Sequence, residues 1–245
     1  RTVDDIADED GQLDAKKKRF FEFKSEFKNK NFSNNIIKNI HKLLEEEDIS
    51  HKIVNDLFEG VESDLKDQVN LNTKKDLLIY SYRVAGTVGL MMAKILKVKN
   101  KESLRCAVDL GVAMQLTNIT RDVLEDRNRN RVYIKANFNS ISETIFLADI
   151  FYQSSFPAIK NIPIFSRFAI LVARRIYRRI GYEILSQKNI GTYSNAGKIY
   201  VSILGKTIET FLSFFDFIQL FFINSSKQEK QNEHIMLHEE INLDE

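Results

Sequence analysis

Two acidic clusters with one internal spacing stand far apart in this chain: Asp4-Asp5-Ile6-Ala7-Asp8 near its start and Asp122-Val123-Leu124-Glu125-Asp126 in its middle. In each, two aspartates are four residues apart, so on a helix their carboxylates share a face, one turn above the other. Such pairs repel, and a divalent cation placed between them and a phosphate relieves the repulsion. Two ladders facing each other would hold two magnesium-bound diphosphates, or one diphosphate from both sides. The second cluster also ends a longer polar stripe. Gln115, Asn118, Asp122 and Asp126 follow i, i+3, i+7 and i+11, one face of an otherwise apolar helix. An unpartnered polar group buried there costs about 1–3 kcal/mol, so the stripe needs either a ligand or water. Asp122 and Asp126 by themselves favour water. A larger set of residues is needed to favour the ligand.

The elements that would position these groups read as helices. The 245 residues include only two prolines (Pro157 and Pro163) and nine glycines, with 18 phenylalanines and no tryptophan. So few breakers favour long helices around one core. The net charge of +2 gives no reason to expect a nucleic-acid partner. The single Cys106 excludes an internal disulfide and a cysteine zinc site, and it suits a reducing cytoplasm.

Residues 1–10 read as the end of a helix whose start is missing. Residues 12–30 carry Lys16-Lys17-Lys18-Arg19, then Phe20, Phe21, Phe23 and Phe27 at helical spacing. A solvated basic face over a core stripe is expected there, with an anionic membrane surface as the lesser reading. Asn34–Glu47 is amphipathic. Lys74–Val98 reads as one long buried helix, rich in small residues at Ala85, Gly86, Gly89 and Ala93 that admit a close neighbour. Ser103–Asp126 reads as a second buried helix ending in the acids. Ile141–Gln153 and Pro163–Ser186 also look helical, the latter opening on proline. Ser202–Ile223 is the greasiest stretch, fit for a core or membrane-resting helix. Residues 224–245 are expected to be a disordered polar tail, and His234 and His238 in it solvated rather than a ligand pair. The whole is an all-α single domain, residues 1–223, around a central space.

The wider set resembles a known family. Tyr80-Ser81-Tyr82-Arg83-Val84-Ala85-Gly86-Thr87-Val88-Gly89-Leu90-Met91-Met92 is similar to the signature of squalene/phytoene synthases. Asp109-Leu110-Gly111-Val112-Ala113-Met114, running into the polar stripe and on to Arg131-Val132-Tyr133, resembles their second signature. Phe58-Glu59-Gly60-Val61-Glu62-Ser63-Asp64-Leu65 is similar to a segment before the first, and Ile176–Gly181 and Gly197–Ser202 match the late part. The resemblance runs from residue 1 to about residue 206, and within the family it looks most like the phytoene synthases, bacterial ones above all.

That resemblance implies an isoprenoid synthase fold around an apolar cavity, with the N-terminal helices of the fold apparently missing from this chain. It implies a prenyltransferase of carotenoid biosynthesis that joins two geranylgeranyl diphosphates head to head (1'-1) through a cyclopropyl diphosphate to phytoene. Mg²⁺, with Mn²⁺ as a substitute, would be held by Asp4, Asp8, Asn118, Asp122 and Asp126, and no NADPH would be needed. Arg1, Arg121 and Arg131 would contact phosphate oxygens. Tyr80, Tyr133 and Tyr193 would bring hydroxyls near the diphosphate or the cation. Gln115 and Asn118 would orient the leaving group, and Lys198 stands where the family usually has arginine. Val84, Val88, Gly89, Leu90 and Met114 would line a cavity that keeps water from the cations. Asn130 stands where the family usually has glycine, and Ile134-Lys135 where a proline is expected. Other expectations are a monomer in the cytoplasm, prenyl diphosphates as partners, and peripheral membrane contact. The rival readings are a squalene or dehydrosqualene synthase using farnesyl diphosphate, and a non-catalytic scaffold of the same fold.

Overall fold

Seven of the described helices begin at a residue whose side chain accepts a backbone N–H of the first turn: Asn34, Ser50, Thr73, Asn100, Asn137, Asn189 and Ser202. These caps satisfy donors that a helix start leaves bare, so many element boundaries are set locally. The computed structural model describes residues 2–8, 11–223 and 231–238, and for Asp4, Asp8 and His238 only the backbone.

In chain order the helices are α1 (Thr2–Asp8), α2 (Leu13–Lys28), α3 (Asn35–Glu46), α4 (His51–Asp64), α5 (Lys74–Ser81) and α6 (Thr87–Ile95). They continue with α7 (Lys101–Asn128), α8 (Phe138–Ser155), α9 (Ile164–Leu185), α10 (Ile190–Asn195), α11 (Ile203–Gln219) and α12 (Asn232–His238). A 3₁₀ segment, Phe156–Asn161, joins α8 to α9. The axis of the molecule is α7. Its Val108, Val112, Ala113 and Leu116 are fully buried, and α6, α8 and α9 pack around it.

The expected long helix over Lys74–Val98 is instead α5 and α6 joined by a π turn at Tyr82–Gly86. A π turn inserts a residue into the ladder, widens the backbone and often marks a functional site. Here it brings the Ala85 carbonyl against Gly111 of α7. A Cβ on Gly111 would lie 2.3 Å from that oxygen, and a Cβ on Gly89 would lie 2.3 Å from the Ala107 oxygen. Glycine is therefore required at this crossing.

Two residues on either side of the site form the one sheet among the described residues, a parallel pair of β1 (Val69–Asn70) and β2 (Arg131–Val132). It pins the segment after α7 to the segment after α4, with Val69 N–H donating to Asn130 O at 3.0 Å. Asn130 itself has φ of +59°. A glycine is at ease in that conformation, and asparagine is among the few other residues that adopt it readily.

Two further features concern the C-terminal part of the chain. The helix α11 turns its polar residues inward: Glu209 and Ser213 are buried, and Arg175 bonds Glu209 (2.9 Å) and Asp216 (2.9 Å). Its outer face exposes Phe211, Phe214, Phe215 and Ile218. The expected solvated tail contains α12, with His234 buried beside Ser154 (Nε2–Oγ 3.1 Å) and Asp109 (Nε2–Oδ2 3.4 Å). Leu237, also buried, supplies the apolar anchor that composition alone concealed. No helix among the described residues is long and apolar enough to cross a membrane.

Candidate active site

The polar stripe of α7 faces a cavity rather than bulk water. Gln115, Asn118, Asp122 and Asp126 line a space of about 680 Å³, joined by Tyr80 of α5, Val84 and Val88, Arg131 and Tyr133, and Lys198. Val3 and Asp5 of α1 line the same space, and Arg131 Nη2 donates to Ala7 O at 3.3 Å. The backbone that carries Asp4 and Asp8 thus borders the mouth that Asp122 and Asp126 enter. The side chains of Asp4 and Asp8, and all of Arg1, lie outside the described residues.

Among the described side chains, charges at the mouth are nearly balanced. Asp5, Asp64, Asp122, Glu125 and Asp126 stand with Arg121, Arg129, Arg131 and Lys198. Acids of this number suit a cation, and the adjoining bases suit phosphate oxygens. Asp122 is gripped by Arg121 through two bonds, Nε–Oδ1 2.9 Å and Nη2–Oδ2 2.7 Å. Lys198 adds a contact at 3.1 Å and holds Glu125 at 2.9 Å. Asp126 has less help. Burial first and the Asp122 charge second push its carboxyl up to about 7, against the pull of Arg131. Asn118 Oδ1 is buried and has no hydrogen-bond partner among the described residues. Asn118 Oδ1 lies one turn from Asp122, which lies one turn from Asp126 on the same face, so these oxygen donors fit a divalent metal in chemistry.

Opposite α7, Tyr80 and Tyr133 stack with ring centres 4.6 Å apart. Both hydroxyls donate to Asp64, Tyr80 to Oδ2 at 2.8 Å and Tyr133 to Oδ1 at 2.6 Å. Burial, and then the Asp64 charge, holds both phenols well above their ordinary range, so they stay neutral donors. The residue that ties them was absent from the expected site, although its segment carried the resemblance. One signal was available. Asp64 is the last residue of α4, where the helix dipole disfavours an acid, so its presence needs another reason.

Tyr193 is placed differently from the hydroxyls expected at the diphosphate. It is buried behind α7, with Oη 2.9 Å from Thr120 O and 2.8 Å from Arg121 O. It therefore acts on the backbone that carries Arg121 and Asp122. Below the mouth lies a second, apolar space of about 380 Å³, which Val84, Val88 and Asn118 share with the first. Gly89 and Met114 line it as well. Leu90 is buried in the core and does not line either space. Val88 and Met92 are about half exposed, 45% and 50%, so the space is a groove open along one side rather than a closed tunnel.

Comparison with known proteins agrees with this geometry. Residues 1–140 match the squalene/phytoene synthase family model. The chain is 34% identical over 139 residues to the 15-cis-phytoene synthase of Enterobacter agglomerans, covering 48% of this chain and 47% of that one. It is 52% identical over 91 residues to the phytoene synthase of Thermus thermophilus, covering 37% and 31%. The chain thus spans about half the length, or less, of these relatives. Among solved structures, a dehydrosqualene synthase in complex with ligand superposes with a TM-score of 0.72 at 23% identity, over 89% of this chain and 83% of that one. The squalene synthase of Alicyclobacillus acidocaldarius does so at 0.60 and 18% identity, over 76% and 78%. The fold is therefore that of the isoprenoid synthases, and the chain belongs to the squalene/phytoene synthase family.

Proposed function

We propose that this protein joins two geranylgeranyl diphosphates head to head, through a cyclopropyl diphosphate, to give phytoene. The observation that carries the reading is the continuity of a charged mouth with an apolar groove through Val84, Val88 and Asn118. A prenyl diphosphate has the same two-part chemistry, an anionic head on a hydrocarbon tail.

Asn118, Asp122 and Asp126 are the residues that would hold Mg²⁺ on α7, with Asp4 and Asp8 serving from α1. The bound ion supplies charge neutralisation for a departing diphosphate. Arg121 and Lys198 now spend their donors on Asp122. Both bases would serve the phosphate oxygens of a bound diphosphate, Arg121 with a guanidinium suited to bidentate contact. Arg131, anchored to α1 through Ala7 O, adds charge from the other side. Tyr80 and Tyr133 present neutral hydroxyl oxygens whose protons point at Asp64, leaving their lone pairs toward an allylic cation. Gln115 orients the head group, while the walls at Val84, Val88, Gly89 and Met114 exclude water that would trap the cation as an alcohol. The outer face of α11, bare of acidic side chains, suits peripheral contact with lipid, where the hydrocarbon product would go.

The test is turnover by the full-length protein with farnesyl or geranylgeranyl diphosphate, with and without NADPH, in the presence of Mg²⁺. A C40 hydrocarbon from the C20 substrate without NADPH supports the proposal, and a C30 product overturns it. Asp122→Asn separates an enzyme from a scaffold, because unchanged turnover in that variant would show that the acids serve no chemistry.

A further inference from the structure

The π turn between α5 and α6 decides which of their side chains face the site. Tyr80, Val84 and Val88 all border the charged mouth, and Val84 and Val88 continue into the apolar groove. In an unbroken α-helix, residues eight apart overshoot two full turns by about 80°. The residue that a π turn inserts takes back about 100°. Tyr80 and Val88 therefore point within about 20° of one direction, so the phenol and the apolar wall meet the same space. Without the insertion, Val88 would swing away from the mouth.

Such a turn is rare and persists only where its surroundings favour it. Inside it, the Thr87 N–H reaches back to Tyr82 O, and the Thr87 hydroxyl donates to Arg83 O at 2.8 Å. The larger constraint comes from α4. Gly60 lies directly against the turn, where a Cβ would stand 2.7 Å from Val84 Cγ1 and 2.9 Å from Arg83 Cβ. Four residues earlier, on the same face of α4, Asp56 Oδ2 accepts the Tyr82 hydroxyl at 2.9 Å. Lys52 Nζ lies 3.0 Å from the same oxygen. A further pair, Arg83 with Glu59 at 2.8 Å, joins two partly exposed side chains and contributes little. Tyr82 is buried, and a bond from a buried hydroxyl to a charged oxygen is the stronger kind. Neither Asp56 nor Tyr82 lines the mouth or the groove.

We propose that Asp56 is a positioning residue for the reaction: by holding the Tyr82 hydroxyl it fixes the π turn, which sets Val84 and Val88 against Asn118 and in line with Tyr80. It acts on the hydrocarbon half of the site and not on the acids, which stand on α7. The inference rests on the prenyl diphosphate reading of the site.

The test uses the full-length protein with Mg²⁺ and two unreactive ligands, geranylgeranyl S-thiolodiphosphate and inorganic diphosphate, with affinities measured by calorimetry. Tyr82→Phe keeps the ring and removes only the donor. It should weaken the prenyl probe by about fivefold or more, the scale of one buried hydrogen bond, and leave inorganic diphosphate within about twofold. Asp56→Ala should do the same, and the double variant should be no worse than the weaker single one, because both remove one bond. Asp56→Asn keeps an acceptor oxygen and should restore most of the prenyl affinity. Equal loss of both ligands, additive losses in the double variant, or unchanged prenyl affinity in Tyr82→Phe overturns the positioning role. Failure of the wild type to bind the prenyl probe overturns the prenyl diphosphate reading itself, a result distinguishable from a π turn held by other contacts.

Discussion

Replacing Gly111 with alanine tests the backbone crossing on which the site is built. The added Cβ would lie 2.3 Å from Ala85 O, 2.7 Å from Ala85 C and 2.9 Å from Gly86 Cα. All three are backbone atoms, so no rotamer change relieves the clash. The helices must part by about 1 Å to restore an ordinary contact, and overpacking of this kind costs about 1–3 kcal/mol. Alanine in a helix interior would otherwise gain about 0.5–1 kcal/mol over glycine, so the net loss is up to about 2.5 kcal/mol. For a chain of this size that lowers the melting temperature by up to roughly 10 °C, at about 2–4 °C per kcal/mol. Gly181→Ala in α9 is the control, because its Cβ would meet only the Ile145 side chain, Cγ2 at 3.1 Å and Cγ1 at 3.9 Å, which can move. Circular dichroism melts of both variants decide the matter. A Gly111→Ala protein as stable as the wild type, or more stable, would refute the claim that α7 and the π turn touch backbone to backbone.

Other perturbations probe the remaining contacts. Asp64→Asn removes the charge that helps hold the Tyr80 and Tyr133 phenols above their ordinary range, so ultraviolet titration should show tyrosine ionisation beginning at lower pH. It also leaves one oxygen for two hydroxyl donors and should cost about 1–3 kcal/mol in urea unfolding. Asp149 joins α8 to α9 through Arg178. Burial alone would raise its carboxyl, yet the Arg178 bonds and charge hold it below the usual value of 3.8. Its contribution is therefore present above pH 3.8 and lost as the pH falls through the lower folded value. Asp149→Asn should flatten that acid limb in unfolding midpoints taken across the pH range. Phe211→Ser with Phe215→Ser should reduce flotation with anionic vesicles and leave the melting temperature unchanged, because both rings are largely exposed.

How much of this was legible depended on whether the cause was local. The i, i+4 spacing of Asp122 and Asp126 places them on one face of any helix, and the structure turns that face into the cavity. Capping residues such as Asn100 and Asn137 stand within a few residues of the boundaries the periodicity predicts. The π turn was hidden, because Tyr82–Gly86 has no breaker and its cause is the approach of α7, far away in sequence. The burial of His234 was hidden for the same reason. A short polar segment gives no sign that Asp109 and Ser154, both within the core, leave a place for an imidazole. Tyr193 illustrates a third limit. A resemblance can put a hydroxyl near the site, but only packing decides whether it faces the ligand or, as here, the α7 carbonyls.

The same helix carries both stability and chemistry, and it divides them by position. At the N-terminal end of α7, Ser103 and its partners tie the 3₁₀ segment to the helix start. Gly111, in the middle, sets the distance to the π turn. Toward the C-terminal end, Asn118, Asp122 and Asp126 face the mouth. A change in the middle third must therefore move Val84 and Val88 relative to Asn118, the three residues common to mouth and groove. In Gly111→Ala, the affinity for a prenyl thiolodiphosphate should fall along with the melting temperature. In Asp122→Asn, affinity should fall with the crossing intact, and the melting temperature follows the balance between the lost Arg121 and Lys198 pairs and the relief of Asp126. A Gly111→Ala protein that lost stability but kept full affinity would show that mouth and groove are positioned independently of the crossing.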